Sequence, residues 1–221
     1  MKNFVFDLYG TLADIHTDEK NPKFIRRMEK SFGADFFARY YALCKSLDTG
    51  GYCEIDLFKV FLNLAPDNAE KAAMYFRAKS RQSFRAYKGA HRLLKSLKKA
   101  GAKLYILSNA QACFTRPELE KLKFPRYFNG IELSSDFGQK KPSAEFFGHI
   151  VKKYSLEKSE TIYIGNDFCA DILGAKAAGL KTAYIKSNRS PSSDSLERAR
   201  GAADFATDDF EKLSEFLISL V

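Results

Sequence analysis

The chain has 221 residues and a mass of 25.0 kDa, with 45% hydrophobic and 29% charged residues. This balance has no signature of disorder, and the length suits one sizeable domain or a domain with a smaller insert. The net charge of +9 favours an anionic partner. The basic residues are scattered among acids, and no stacking or groove-reading motif accompanies them, which sets nucleic acid aside in favour of a small anionic molecule. Cys44, Cys53, Cys113 and Cys169 lie far apart with no CxxC pair, so a reduced protein without structural zinc is expected. The first residues turn acidic too quickly for a signal peptide, and no apolar run reaches the ~20 residues of a bilayer span, so no membrane segment and a cytoplasmic location are expected.

In chain order, NFVFDL (3–8) is the first strand candidate. Residues 14–87 then read as helices almost throughout: PKFIRRMEKSFG, ADFFARYYALCKSL, EIDLFKVFLNL and NAEKAAMYFRAKSRQSFRAY, separated by Gly33, the Gly50–Gly51 pair and Pro66–Asp67. ADIHTDE, which leads into this block, reads as a polar linker. From residue 88 the pattern alternates. GAHRLLKSLKKAG is an amphipathic helix that stops at Gly101, and KLYILS (103–108) and GIELSS (130–135) are strands. PSAEFFGHIVKKY is a helix, TIYIGN (161–166) and KTAYIK (181–186) are strands, and ADILGAKAAGLK and FEKLSEFLISLV are helices. SNRSPSSDS (187–195) reads as a plain polar loop. Short apolar runs alternating with helices predict an α/β fold with a parallel sheet covered on both faces. The expected division is a core of residues 1–13 and 88–221 with an all-helical insert at 14–87.

Open parallel sheets bind ligands at the carboxyl ends of their strands. The first strand ends in Asp7, Tyr9, Gly10 and Thr11, and the second in Ser108 and Asn109. The third leads to Asp136 and then Lys140, Lys141 and Pro142; the fourth ends in Asn166, Asp167 and Asp171. Each of these alone could be a helix cap or strand end. Together on one edge they describe a site.

The four stretches FDLYGTL, LSNA, KKPSAEFF and IGNDFCADILGAKAAGLKT resemble, in order and spacing, the motifs of the haloacid dehalogenase (HAD) superfamily of hydrolases. The resemblance covers nearly the whole chain and implies a Rossmann-like core with a helical cap at 14–87 closing over the site. It implies Asp7 as nucleophile, with an aspartyl intermediate. The turn Tyr9–Gly10–Thr11 would present N–H groups to an anion, and Ser108 and Asn109 would bind the transferring group. Lys141, which directly precedes Pro142 as the family's lysine does, would offset charge, while Lys140 is a surface charge. Mg2+ would be held by Asp7, the Tyr9 carbonyl, Asp171 and either Asn166 or Asp167, of which Asp167 brings a charge.

Two motifs disagree on the reaction. Phosphatases of the superfamily mostly carry DxDxT, whose second Asp protonates the leaving oxygen; Tyr9 stands there instead. The 2-haloacid dehalogenases have Asp and Tyr at this spacing, expel halide without a proton and need no metal. The acids Asp167 and Asp171 argue the other way, because three carboxylates without a cation repel one another. The expected function is a Mg2+-dependent phosphatase of a small phosphorylated metabolite that lacks the general acid. The alternatives are a 2-haloacid dehalogenase-like hydrolase and a catalytically weak regulatory homologue. Of the cap arginines Arg26, Arg27, Arg77, Arg81 and Arg85, one could anchor substrate.

Overall fold

The computed structural model describes residues 1–221. Strand β1 (Asn3–Phe6) leads through the Asp7 turn to β2 (Ala13–Thr17), then α1 (Pro22–Phe32), α2 (Phe36–Leu47), α3 (Leu57–Leu64), α4 (Ala69–Ser80) and β3 (Arg81–Ala86). The remainder alternates: α5 (Ala90–Lys99), β4 (Lys103–Ser108), α6 (Ala112–Lys121), β5 (Gly130–Leu133), α7 (Ser134–Phe137), α8 (Ala144–Lys153) and β6 (Thr161–Gly165). A π-helical turn (Phe168–Leu173) runs into α9 (Gly174–Ala177), followed by β7 (Lys181–Ile185), α10 (Leu196–Arg200), β8 (Phe205–Thr207) and α11 (Phe210–Ile218). No helix is long and apolar enough to cross a membrane.

The six-stranded sheet has the order β5-β4-β1-β6-β7-β8, parallel throughout. This is the doubly wound Rossmann order, with its switch point between β1 and β6. Phe6 pairs with both Ile106 and Ile164, so these strand ends are flush and Asp7, Ser108 and Asn166 leave one edge close together. Every residue of β1 is buried, as expected for a strand covered on both faces. Phe4, Phe6 and Ile106 pack on the α5 and α11 side, and Val5, Tyr105 and Tyr163 on the α8 side. In α5, Ala90, Leu93, Leu94 and Leu97 recur at helical spacing and are all buried, while the lysines between them stay outside.

Helices α1–α4 form a second layer around an aromatic cluster that includes Phe24, Phe36, Tyr40, Phe61 and Phe76. Phe114 of α6 joins this cluster, stacked on Phe76 at 6.1 Å between ring centroids, and so ties the layer to the sheet.

The structure corrects the expectation of an all-helical insert. The helix predicted through residue 87 ends at Ser80, and Arg81–Ala86 pairs antiparallel with Ala13–Thr17. Phe84 and Ala86 alternate inward against the core at the two-residue strand period, which replaces the helical one after Ser80. ADIHTDE is correspondingly not a plain linker, because its first half is β2. The short strand β8 and helices α6, α7 and α10 were not anticipated; at three to five residues, β8, α7 and α10 are too brief to show a period.

Candidate active site

Asp7 follows β1 by one residue and is buried. Its Oδ1 accepts from Lys141 Nζ at 2.8 Å and from Ser108 Oγ at 3.0 Å. Its Oδ2 meets only Thr11 Oγ1, at 3.4 Å, and is the oxygen left open. Burial pushes the Asp7 carboxyl above the usual carboxylate range; Lys141 pulls against this and the charge of Asp171 adds to it.

Lys141 reaches this point from the loop between α7 and α8. Its backbone is clasped by the Asn109 amide, which accepts from Lys141 N at 2.7 Å and donates to Lys141 O at 3.0 Å. The ammonium donates to Asp7, to Asp171 Oδ1 at 2.6 Å and to Tyr163 OH at 2.7 Å. Burial alone would lower the lysine's pKa, but the two carboxylates outweigh it and hold the group charged. Tyr163 completes the cluster by donating towards Asp171 and the Leu107 carbonyl. Sequence reasoning passed over it as one more apolar strand residue.

Asp171 is 1% exposed, and both of its oxygens are in use. Oδ1 takes Lys141 and Tyr163, while Oδ2 accepts from the backbone N–H of Asn166 at 3.0 Å and of Asp167 at 2.9 Å. Gly165 makes this possible, because a Cβ there would lie 2.3 Å from the Asp171 carboxylate. Asp171 therefore sets the shape of the loop and the position of Lys141. The ammonium between Asp7 and Asp171 offsets part of the charge surplus that the sequence suggested a metal would cancel.

Asp7, Tyr9, Ser108, Asn109 and Lys141 line one cavity of about 210 Å³ with Asn166, Asp167, Asp171 and Arg189. Gly10 and Thr11 do not; they border a neighbouring cavity with Tyr87 and Asn188. Their N–H groups are spent within the turn, Gly10 on the Ala13 carbonyl and Thr11 on that of Leu8, so the expected anion nest is not formed by these two. Gly10 instead has φ +94°, and a Cβ there would meet the Asn166 side chain at 2.4 Å. Thr11 Oγ1 lies 3.2 Å from Asn166 Oδ1 and so links the first and fourth motifs.

The Tyr9 side chain points towards the helical layer. Its hydroxyl donates to Glu118 Oε2 and lies 3.0 Å from Thr115 Oγ1. Glu118 is 3% exposed and also accepts two hydrogen bonds from Arg77 and one from Arg81. Burial, then the charge of Glu118, holds the Tyr9 phenol far above its ordinary range. Arg77, Arg81 and Arg85 are thus engaged by Glu118 and Asp14 and do not line the cavity. The arginine that does line it is Arg189, from the loop first read as plain polar.

Mg2+ takes hard oxygens, often one or two carboxylates with the rest water. No three His, Cys, Asp or Glu side chains are grouped closely enough to hold a metal by themselves, so the expected Asp7–Asp167–Asp171 set is not assembled. Asp7 and Asp167, with Asn166 lining the same cavity, still form a donor set of the right chemistry. Asp167 uses one oxygen to cap Ala170 N at 2.8 Å.

Residues 4–185 match the model of the haloacid dehalogenase-like hydrolases. The chain is 29% identical over 194 residues to the phosphoglycolate phosphatase of Pseudomonas fluorescens, covering 80% of this chain and 66% of that protein. Matches to further curated relatives span less, down to 36% of the length of phosphoglycolate phosphatase 1 of Pseudomonas aeruginosa. In fold, the chain is similar to a HAD phosphatase from Thermococcus onnurineus, with a TM-score of 0.68, 20% identity and 98% of both chains covered. A dehalogenase solved with an intermediate complex has a TM-score of 0.63 at 19% identity, covering 98% of this chain and 96% of its own. Fold likeness at such identities does not separate the two chemistries. With four motifs in order on the strand ends of a doubly wound sheet, and a family match running from β1 to the end of β7, the chain belongs to the haloacid dehalogenase-like hydrolases.

Proposed function

We propose that the chain is a phosphohydrolase for a small phosphorylated metabolite, dependent on a divalent cation such as Mg2+ and lacking the usual general acid. The observation that carries this reading is the Asp7 carboxylate. One oxygen is fixed by Lys141 and Ser108, the other is open, and Asn166 and Asp167 line the same small cavity. At about 210 Å³ that cavity falls below the roughly 300–1,000 Å³ of sites for drug-sized ligands. The phosphatase relatives point the same way.

In this reading Asp7 Oδ2 attacks phosphorus, an aspartyl–phosphorus bond forms, and the ester P–O bond breaks with its electron pair leaving on the departing oxygen. Water then attacks the same phosphorus and passes a proton to bulk solvent, while the Oδ2–P bond breaks with its electron pair returning to the Asp7 carboxylate and phosphate is released. Ser108 and Lys141 hold Asp7 in line, and Lys141 offsets charge accumulating beside it. Asp7, the Tyr9 carbonyl, Asn166 and Asp167 would hold the cation, which when bound supplies charge neutralisation at the phosphoryl oxygens. Asp171 positions Lys141 from outside that shell.

The leaving oxygen is the weak point. Tyr9 occupies the position of the usual acid, but its proton is committed to Glu118 and its phenol is held too basic for ready release. General acid assistance is worth roughly 10² to 10⁴ in rate, so leaving groups that depart without a proton are favoured, such as acyl or activated aryl phosphates. Turnover of p-nitrophenyl phosphate and of an alkyl phosphate, each with and without Mg2+, checks this. The aryl ester should be cleaved at least tenfold faster and only with the cation, and Asp7→Asn should abolish it. Equal rates sink the missing-acid argument. The dehalogenase reading is favoured by one observation, that Lys141 already neutralises Asp7 against Asp171 without a metal. Halide release from a 2-haloacid in chelator would establish it.

A further inference from the structure

We propose that Arg189 anchors a second anionic group of the substrate, a carboxylate carried on the same small molecule as the phosphate. This rests on the phosphohydrolase reading and names its substrate class.

The loop that follows β7 brings Arg189 to the wall of the Asp7 cavity. Its guanidinium is held from behind. Nε donates to Asp14 Oδ1 at 3.0 Å and Nη1 to His16 Nδ1 at 2.8 Å, both on β2. Asp14 is itself 3% exposed and pinned by Arg85 at 3.2 Å and Asn188 at 3.2 Å, so the anchor behind Arg189 does not swing. An arginine has five N–H donors in a rigid fork. Two are used on Asp14 and His16; the others, including both on Nη2, have no partner in the protein. The side chain keeps 29% of its surface exposed and lines the Asp7 cavity.

Charge makes the same point. Asp7, Asp167 and Asp171 face the cavity, and its one other cation, Lys141, is already bonded to two of them. A phosphate ester with a neutral tail asks nothing more of the far wall. A molecule with a carboxylate at its other end would be repelled by these acids unless a separate cation received it. The unpaired fork of Arg189 matches a planar carboxylate, which it can bind through two parallel hydrogen bonds. The alternative role, fastening the loop to β2, uses only the Asp14 and His16 bonds and leaves the free donors unexplained.

The matched pair 3-phosphoglycerate and glycerol 3-phosphate differs at the far end only by carboxylate against hydroxymethyl. Calorimetric binding of each to the full chain, as wild type, Arg189→Ala and Arg189→Lys, is the test. The wild type should bind 3-phosphoglycerate at least tenfold more tightly, Arg189→Ala should bring the two within about twofold, and Arg189→Lys should keep part of the preference. No preference in the wild type, or equal weakening of both ligands in Arg189→Ala, overturns the anchor. Hydrolysis of p-nitrophenyl phosphate by the wild type is read separately. Preference without hydrolysis sinks the phosphohydrolase reading and leaves the anchor; hydrolysis without preference does the reverse.

Discussion

Two buried charge clusters flank the nucleophile turn, and they are inverses of each other. In one, the Lys141 ammonium sits between the carboxylates of Asp7 and Asp171 and is closed by Tyr163. In the other, the Glu118 carboxylate sits between the guanidinium groups of Arg77 and Arg81 and is closed by Tyr9. The first is net negative and deeply buried, with Lys141 and Asp171 side chains each 2% exposed. The second is net positive and leakier, its arginines being 14% and 23% exposed. The first draws only on core strand ends and their loops. The second joins the core helix α6, the nucleophile turn and the helical layer through α4 and β3. Tyr9 belongs to both regions: its backbone stays in the turn beside Asp7, while its hydroxyl reports to the other cluster. Tyr9 thus fastens the nucleophile turn to α6 through its hydroxyl.

The comparison breaks most sharply at Lys141. Lys141→Met leaves Asp7 and Asp171 facing each other with no cation, and removing one partner of a buried pair costs about 3–5 kcal/mol. Turnover should be lost and the melting temperature should fall by roughly 2–4 °C for each kcal/mol. A stable, active variant would show that a bound cation, rather than Lys141, carries the balance.

Glu118→Gln should be milder, about 1–3 kcal/mol, because the partly exposed Arg77 and Arg81 can regain water. It frees the Tyr9 hydroxyl and uncouples α6 from α4. Thermal unfolding should move to lower temperature, and kcat should drop through loosening of the turn while the Lys141 cluster stays intact. Tyr9→Phe should lower stability by about 1 kcal/mol and reduce kcat on an alkyl phosphate by less than tenfold. A loss near 10³-fold would make the hydroxyl the missing acid after all.

The smallest effect is expected at a third cluster remote from the site, where Glu132 on β5 accepts from Tyr154, His149 and Lys153, each at 2.7 Å. Burial alone would raise the Glu132 pKa; the bonds from Lys153, Tyr154 and His149 outweigh it and hold it below the ordinary 4.5. Such a group contributes stability that is present above its unfolded pKa and lost as pH falls through the folded one. Acidification from about pH 7 to about pH 3 should therefore narrow the stability gap between wild type and Glu132→Gln, by about 1 kcal/mol or less. A gap constant across that range would exclude the linkage.

Much of this was legible in advance because it is local. The strands ending at Asp7, Ser108 and Asn166 are apolar runs with turn residues behind them, and their order on a parallel sheet places their ends on one edge. Lys141 beside Pro142 carried a recognisable spacing. The β2–β3 ribbon was not legible, because Arg81–Ala86 follows a helix without a break and acquires its two-residue period only through pairing with a strand far earlier in the chain, as in Ala13 with Ala86 or Thr17 with Arg81. Nor did any pattern announce Arg189 or Glu118, whose neighbours come from elsewhere in the chain: Asp14 lies 175 residues from the first, and Arg77 41 from the second.

The sequence by itself determined the α/β class, the identity of the motif residues and the edge where they gather. Those depend on periodicity and spacing, which short-range sterics and burial impose on any chain. Only the tertiary structure decided what each motif residue bonds to. Asp171 bonds the Lys141 ammonium, Asn109 clasps the Lys141 backbone, and the Tyr9 hydroxyl ties to Glu118. Side-chain hydrogen bonds are satisfied by whatever the fold brings within about 3 Å, and for a buried polar group that choice outweighs its place in a motif.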